Sequence, residues 1–271
     1  MKQVLLVVVA TLLLGAHDAR AQTKLSVKWE ELSAADFRRA IAQSKGTCLL
    51  PFGILEKHGP HLSLGTDLLN VRYASLHAAE KEYAVVFPEY YFGQIFEAKH
   101  EPGTMAYSRE LQLRLLQETT DEMARNGCKK IVIVNGHGGN ESLLPFFAQS
   151  QLEKPHDYVV YVQWGHDEPK GGPQKKDVLD MHAGQSETST MMISHPDLVH
   201  LDQASSESGA DFPNHYSGEG ALATKELGEF EMNAWINAIA AAIRAAQADD
   251  QSLRLQNEFY EKSRRPLDTR P

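Results

Sequence analysis

Short apolar runs alternate along this chain with longer segments whose apolar residues recur at helical spacing. The short runs predict buried strands, and the longer segments predict amphipathic helices. The predicted strands cover residues 47–55, 84–88, 129–135 and 158–164, and the predicted helices cover residues 33–43, 67–83, 108–127, 140–153, 184–194 and 223–249. Alternating strands and helices form βαβ units. We therefore expect an α/β fold whose mostly parallel sheet carries helices on both faces.

The first 21 residues have the pattern of a secretory signal peptide. Lys2 precedes an apolar stretch at residues 4–14, and the segment ends in Ala-Arg-Ala at residues 19–21. This pattern predicts cleavage before Gln22, with an uncleaved anchor as the alternative. The apolar stretch is shorter than the roughly 20 residues that a membrane span needs. We expect the mature protein to be periplasmic or secreted.

Residues 22–271 are expected to form a single domain with a polar C-terminal tail at about 262–271, since no linker or internal repeat divides them. The formal net charge is −9, and removal of the signal peptide leaves about −10. An acidic surface argues against nucleic acid as a partner. No later segment is apolar for long enough to cross a bilayer, so we expect no stable membrane association after signal cleavage.

The chain has two cysteines, Cys48 and Cys128, and both adjoin predicted strands. An exported protein can form a disulfide. Neither cysteine lies in a Cys-rich or CxxC setting, and we therefore expect two buried free thiols, with a disulfide as the alternative.

Metal-binding side chains follow several of the predicted strands. They comprise Glu56, His58, His61 and Asp67 after the first strand, His137 after the strand at 129–135, His166 after the strand at 158–164, and His182 and Glu187 in the stretch 180–189. In open parallel sheets, ligand sites form just beyond the carboxyl ends of the strands. Imidazole and carboxylate groups are the usual ligands of zinc and similar divalent ions. The pattern predicts a metal site on this edge of the sheet.

The spacing of the first group suits a pair of metal ions. Glu56 and His58 are two residues apart, so on an extended backbone they face the same side while Lys57 faces away. Asp67 begins a predicted helix, where it can bridge two ions or act as an N-cap. Two divalent ions lower the pKa of a shared water and polarise a carbonyl. The carboxylates of Glu56, Asp67 and Glu187 would balance most of their charge.

The stretch "NGHGGN" at 135–140 predicts a tight loop around His137. Its glycines allow the backbone to pass close to a ligand, and we expect Gly138, Gly139 and the strand-end residue Trp164 to contact a substrate. We expect Asn140 to cap the next helix, whose N–H groups could face an oxyanion.

Three blocks together resemble the signature sequences of the creatininase (creatinine amidohydrolase) family. They are "EKHGPHLSLGTD" (56–67), "VNGHGGN" (134–140) and "HAGQSETS" (182–189), supported by "PGT" (102–104) and "GALATKELGE" (220–229). The resemblance covers roughly residues 30 to 245. It implies a three-layer α/β/α fold, a binuclear centre of zinc, manganese or iron, hydrolysis of C–N bonds other than peptide bonds, and a homo-oligomer, commonly a hexamer.

Matched block by block, the resemblance implies that Glu56, His58, Asp67 and His137 are metal ligands, with Asp67 bridging. It implies an acid–base or supporting role for His182, a position beside the metals for Glu187, and substrate contact at Thr104. Gly139 stands where creatinine-cleaving members carry a ligand glutamate. We expect Glu187 to replace that ligand, and we expect a substrate other than creatinine.

The sequence therefore predicts an exported metal-dependent amidohydrolase that cleaves an amide, lactam or formamide with water activated by two divalent ions, zinc foremost. His182 or Glu187 would pass the proton to the leaving nitrogen. The alternatives are a peptide-trimming metallopeptidase, a non-catalytic small-molecule binding protein on the same fold, and a two-metal phosphoesterase, which is disfavoured because no phosphate-binding basic residues accompany the motifs.

Overall fold

The computed structural model describes residues 24–165, 172–173, 180, 182–204 and 219–270, and four parallel strands form the sheet of this described part. The strands are β1 (Thr47–Phe52), β2 (Val85–Val86), β3 (Lys130–Asn135) and β4 (Val159–Gln163). Their order is β2-β1-β3-β4. Phe52 pairs with Asn135, so β1 and β3 end side by side. All four predicted strands are confirmed, although β1 ends three residues earlier than expected.

The described helices are α1 (Ala34–Gln43), α2 (Thr66–Lys81), α3 (Arg109–Arg125), α4 (Leu143–Ser150), α5 (Gln185–Ser194), α6 (Lys225–Ala248) and α7 (Ser252–Ser263). The six predicted helices are confirmed, and the expected caps Ser33 and Ser108 accept backbone N–H bonds at the starts of α1 and α3. The helix α7 was not predicted. The expected polar tail is exposed, with a short 3-10 turn at Pro266–Asp268.

Two hydrophobic cores lie on opposite faces of the sheet. Alternate residues of a strand face opposite sides, so Leu49 packs with α2 and α6 while Leu50 packs with α1, α3 and α4. In β3, Val132 and Val134 join the first core, and the flanking Ile131 and Ile133 join the second. This arrangement confirms the three-layer α/β/α fold.

The expectation for the helix at 140–153 needs correction. Residues Gly138–Glu141 form a 3-10 turn, and α4 begins only at Leu143. Asn140 is not a helix cap, because its buried side chain donates to Asn135 Oδ1 (3.1 Å) and accepts from the backbone N–H of Gln94 (2.9 Å). Asn140 instead ties the loop after β3 to the segment around Gln94.

The expectation of free thiols is wrong, since Cys48 and Cys128 form a disulfide with a Cα–Cα distance of 5.8 Å. Both residues are fully buried. Thr47 pairs with Lys130, which places Cys128 beside the start of β1. The two cysteines are 80 residues apart in sequence, and this proximity depends on strand order, which the sequence did not specify.

Several predictions lie outside the described residues. These are the signal peptide at 1–21, its cleavage before Gln22, and His166. The extent of the single domain stays a prediction. Within the described part, none of the helices combines the length and apolar character needed to span a bilayer.

Candidate metal centre

The ends of β1 and β3 meet the first turn of α2 at one edge of the sheet. His137 lies two residues beyond β3, and Asp67 lies in the first turn of α2. A Cβ at Gly136 would lie 2.7 Å from the Cβ of Val71 and 3.0 Å from the carbonyl oxygen of Asp67. Glycine at 136 therefore allows the loop after β3 to lie against α2, which brings His137 to Asp67.

Asp67 lies between two imidazoles. Its Oδ2 is 2.8 Å from Nδ1 of His137, and its Oδ1 is 3.2 Å from Nε2 of His58. Glu56 Oε1 lies 3.1 Å from His137 Nδ1 and 3.8 Å from His58 Nε2. Glu187 Oε2 lies 3.8 Å from His58 Nε2. Each carboxylate oxygen of Asp67 thus faces a different histidine, which is the arrangement a bridging ligand needs.

Six residues form what we term the ligand cluster: Glu56, His58, Asp67, His137, His182 and Glu187. They contribute three overlapping groups whose donor atoms lie within 4.8 Å of one another, namely Glu56/His58/His182, Glu56/Asp67/His137 and His58/Asp67/Glu187. Three residues are shared between groups, as expected for two neighbouring cations. Imidazole nitrogens and carboxylate oxygens suit zinc and manganese. The donor set therefore fits the predicted pair of divalent ions.

The electrostatics of the cluster favour bound positive charge. Glu56, His58 and Asp67 are at most 4% exposed, and buried carboxylates need compensating charge. Burial lowers the pKa of His58, but the carboxylates of Asp67, Glu187 and Glu56 together outweigh burial and raise it to about 10. Burial raises the pKa of Asp67, yet the two histidines hold it well below its usual range. Protons supply this positive charge in the absence of metal, and divalent cations can replace them.

The start of α5 places His182 and Glu187. His182 Nε2 lies 2.9 Å from the carbonyl oxygen of Lys57, and its ring centroid is 4.5 Å from that of His58. The backbone N–H of Ala183 donates to Glu187 Oε2 at 2.6 Å, and Ala183 adopts a φ of 53°. Such left-handed backbone at a non-glycine residue is found where the surroundings enforce it, often at functional sites. Burial raises the pKa of the Glu187 carboxyl.

A cavity of about 340 Å³ opens onto the ligand cluster at Asp67, His137 and Glu187. Its other lining residues are Asn70, Asn135, Gly136, Gly138, Glu141, Trp164, Gly165, Ser186, Thr190, Glu231 and Trp235. Of the four residues predicted to contact substrate, Gly138 and Trp164 line this cavity, and Gly139 and Thr104 do not. The roles of all these residues stay predictions, but the structure brings the whole predicted ligand set together.

His61 is the one histidine of the first motif outside these groups. Its Nε2 lies 2.9 Å from Thr188 Oγ1, so it connects the loop after β1 to α5. Burial, together with the nearby His58, lowers the pKa of His61 to about 4. The N-cap alternative for Asp67 is wrong, since Gly65 occupies the cap position of α2.

Sequence reasoning missed three residues near the cluster. Glu231 and Trp235 lie one turn apart on α6, and Ser186 Oγ donates to Glu231 Oε1 at 3.2 Å. Glu231 is buried on the otherwise apolar face of α6. A carboxylate in an apolar helix face is unusual, and this feature of the sequence could have identified Glu231 as a candidate site residue. Glu97 approaches His137 with an Oε1–Nε2 distance of 3.8 Å. The His137 imidazole lowers the pKa of Glu97 to about 2.

The sequence model of the family described as creatinine amidohydrolase matches residues 30–243. The chain belongs to the creatininase family. Creatinine amidohydrolase of Pseudomonas putida is 27% identical over 246 residues, which cover 79% of this chain and 95% of that protein. The mycofactocin precursor peptide peptidase of Mycolicibacterium smegmatis is 30% identical over 190 residues, which cover 66% of this chain and 72% of that protein.

A solved structure agrees with this assignment. A crystal structure of creatinine amidohydrolase (creatininase) matches with a TM-score of 0.72 at 25% identity, covering 83% of this creatininase-family chain and 99% of the other. Related creatininase structures are named as a Zn–Zn type and as a Mn form. The resemblance seen in the three sequence blocks and the fold that it implied are both confirmed.

Proposed function

We propose that this protein is a metal-dependent amidohydrolase that cleaves the C–N bond of a small amide, lactam or formamide. The observation that carries the proposal is the ligand cluster, in which side chains from distant segments meet at the base of a cavity. The similarity to creatinine amidohydrolase over nearly all of that protein supports it. We propose zinc as the metal, with manganese or iron as alternatives.

Two overlapping groups would hold the pair of ions. Glu56 and His137 would serve one ion and His58 and Glu187 the other, with Asp67 between them. Bound divalent ions supply a water of lowered pKa and polarise the amide carbonyl. In the described part of the chain, Asp67, His137 and Glu187 line the cavity, whereas the buried Glu56 and His58 do not. A substrate in this cavity would therefore approach the cluster from the side of Asp67, His137 and Glu187.

The chain itself supplies the proton transfer in this proposal. Glu187 lines the cavity, where its carboxylate can carry a proton to or from a bound substrate. The N–H of Ala183 fixes one carboxylate oxygen and leaves the other for the leaving nitrogen. His182 is held by the Lys57 carbonyl oxygen beside His58, where it supports the ligand geometry.

The cavity indicates a small substrate without negative charge. Its volume of about 340 Å³ is at the lower end for ligand pockets. Trp164 and Trp235 offer aromatic surface, and Glu141 and Glu231 disfavour an anionic group. The similarity to a mycofactocin precursor peptide peptidase favours a second candidate, the removal of residues from a short peptide.

Replacement of Asp67 tests the proposal, since Asp67 faces both histidines. In Asp67→Ala we expect elemental analysis to show loss of metal, and a panel of lactams, formamides and short peptides to show loss of turnover. The exposed Asp250→Ala serves as the control. Metal and turnover that survive in Asp67→Ala would contradict the proposal. A metal-loaded wild type that turns over none of the panel would favour a binding protein.

We also propose that the protein is exported to the periplasm or the exterior. The support is the signal-peptide pattern at 1–21 together with the Cys48–Cys128 disulfide, because disulfides persist in oxidising compartments. N-terminal sequencing of protein from the periplasmic fraction should begin at Gln22. An N-terminus at Met1 would contradict cleavage.

We further propose a homo-oligomer, with the hexamer as the expected form. Its support in the structure is a set of exposed apolar side chains, Leu64, Phe96 and Met105, each 41–46% exposed. Light scattering should give a multiple of the chain mass, and a monomer mass would contradict the proposal.

A further inference from the structure

Glu97 is tied to the loop that carries His137. Gln94 Nε2 donates to the carbonyl oxygen of Gly139 (3.3 Å) and to Glu97 Oε2 (3.0 Å). The flanking residues Ile95 and Ala98 are fully buried in a small apolar cluster. Although the Glu97 side chain is 49% exposed, these contacts hold its carboxylate beside the loop after β3.

The two ring nitrogens of His137 face different partners. Nδ1 faces Asp67 and Glu56 in the ligand cluster, and Nε2 lies 3.8 Å from Glu97 Oε1. Nε2 is buried, and within the described part of the chain it has no hydrogen-bond partner at closer range. A buried ring nitrogen needs a partner, and a metal-bound histidine usually donates its other N–H to a carboxylate. Glu97 is placed to accept it after a small movement.

Gly139 leaves the space for this contact. A Cβ at 139 would lie 2.5 Å from His137 Nε2 and 2.7 Å from Glu97 Oε1. A side chain at this position would require Glu97 Oε1 or the His137 ring to shift, because real Cβ contacts are not this short, and the flexible Glu97 carboxylate is the group that moves most easily. The glycine at 139 therefore makes room for the Glu97 carboxylate beside the ring of His137.

We propose that Glu97 is a positioning residue for His137. Its carboxylate accepts the Nε2–H of His137 and so turns Nδ1, as the unprotonated ring nitrogen, toward the cation between Glu56 and Asp67. The inference rests on the proposed metal-dependent function. It assigns Gly139 the role of keeping this contact open, rather than that of a substrate contact.

The test compares zinc affinities of the full chain, measured by competition with a chelating dye. We expect Glu97→Ala to weaken zinc binding about 10- to 100-fold, the usual effect of losing such a partner. Glu97→Gln should lose less, because its amide oxygen can still accept the N–H. The control is Glu80→Ala, since Glu80 is 52% exposed and lies 3.5 Å from His77 on α2 in a comparable contact outside the ligand cluster. Glu80→Ala should bind zinc as the wild type does.

A second measurement separates positioning from a general structural effect. In ¹H–¹⁵N correlation spectra of zinc-loaded, histidine-labelled protein, we expect the His137 proton on Nε2, with a shifted signal in Glu97→Ala and an unchanged one in Glu80→Ala. A proton on Nδ1, or a zinc Kd in Glu97→Ala equal to that of the control, would overturn the inference. If the wild type binds neither zinc nor manganese nor iron, the proposed function fails with it. If the wild type binds zinc, and Glu97→Ala binds it as tightly as Glu80→Ala does, the proposed function stands and this inference alone fails.

Discussion

Loss of the Cys48–Cys128 disulfide should destabilise the protein by several kcal/mol. The bond closes a loop of 80 residues, for which the chain-entropy relation gives about 4.5 kcal/mol at 25 °C. Domains are usually stable by only about 5–15 kcal/mol. For a chain of this size, such a change corresponds to a fall of roughly 9 °C in Tm.

The assay is thermal unfolding followed by circular dichroism for oxidised wild type, reduced wild type and the double variant Cys48→Ala/Cys128→Ala. The reduced wild type shows the effect of losing the disulfide bond alone, because the packing of the two buried residues hardly changes. The double variant should unfold near the reduced wild type and should not respond to reductant. Two free thiols in the denatured, unreduced wild type, or equal Tm values with and without reductant, would refute the reasoning.

Three further perturbations address the site and the pH dependence of stability. Gly136→Ala places a Cβ 2.7 Å from a side chain of α2, and we expect roughly 1–3 kcal/mol of destabilisation and weaker zinc binding. In the control Gly165→Ala, the new Cβ has no atom of the described residues within 4 Å, and we expect little effect on Tm. Exhaustive chelation should lower Tm, because the buried carboxylates around Asp67 then lose the compensating cations. A calorimetric Tm that is the same with and without chelator would contradict this. Hydrogen bonds from Ser252 and neighbouring groups hold the pKa of Asp249 below its usual range. The contribution of Asp249 to the free energy of unfolding is therefore complete above about pH 4. It is lost as the pH falls through the lower pKa of the folded state. In urea titrations, the difference in unfolding free energy between wild type and Asp249→Asn should therefore shrink from pH 6 toward pH 3, and a constant difference would count against the assignment.

Part of the ligand cluster could be predicted because two of its motifs directly follow strands. The residues Glu56 and His137 come after β1 and β3, and neighbouring parallel strands end at the same edge of the sheet. Asp67 could be placed because a helix starts there. Local patterns placed the candidate side chains at one edge of the sheet, and the resemblance to the creatininase family narrowed them to a ligand set. Neither predicted which nitrogen or oxygen faces which.

The disulfide and the positions of Glu97 and Glu231 could not be predicted, because they depend on contacts between segments that are distant in sequence. Cys48 and Cys128 meet only because β1 and β3 are neighbours. Glu97 lies between β2 and α3 in a segment without regular helix or strand, so its direction follows from hydrogen bonds to the loop at Gly139. Glu231 reaches the cavity because α6 packs against α5, which brings it to Ser186.

Part of the cavity wall comes from segments that contribute no residue to the ligand cluster. Trp164 follows β4, and Glu231 and Trp235 belong to α6, whereas the cluster is built from the ends of β1 and β3 and the starts of α2 and α5. Replacing Trp164 or Trp235 leaves the hydrogen bonds described for the ligand cluster in place. If the proposed function holds, these two wall residues are therefore the positions at which substrate preference can change while the cluster keeps its geometry.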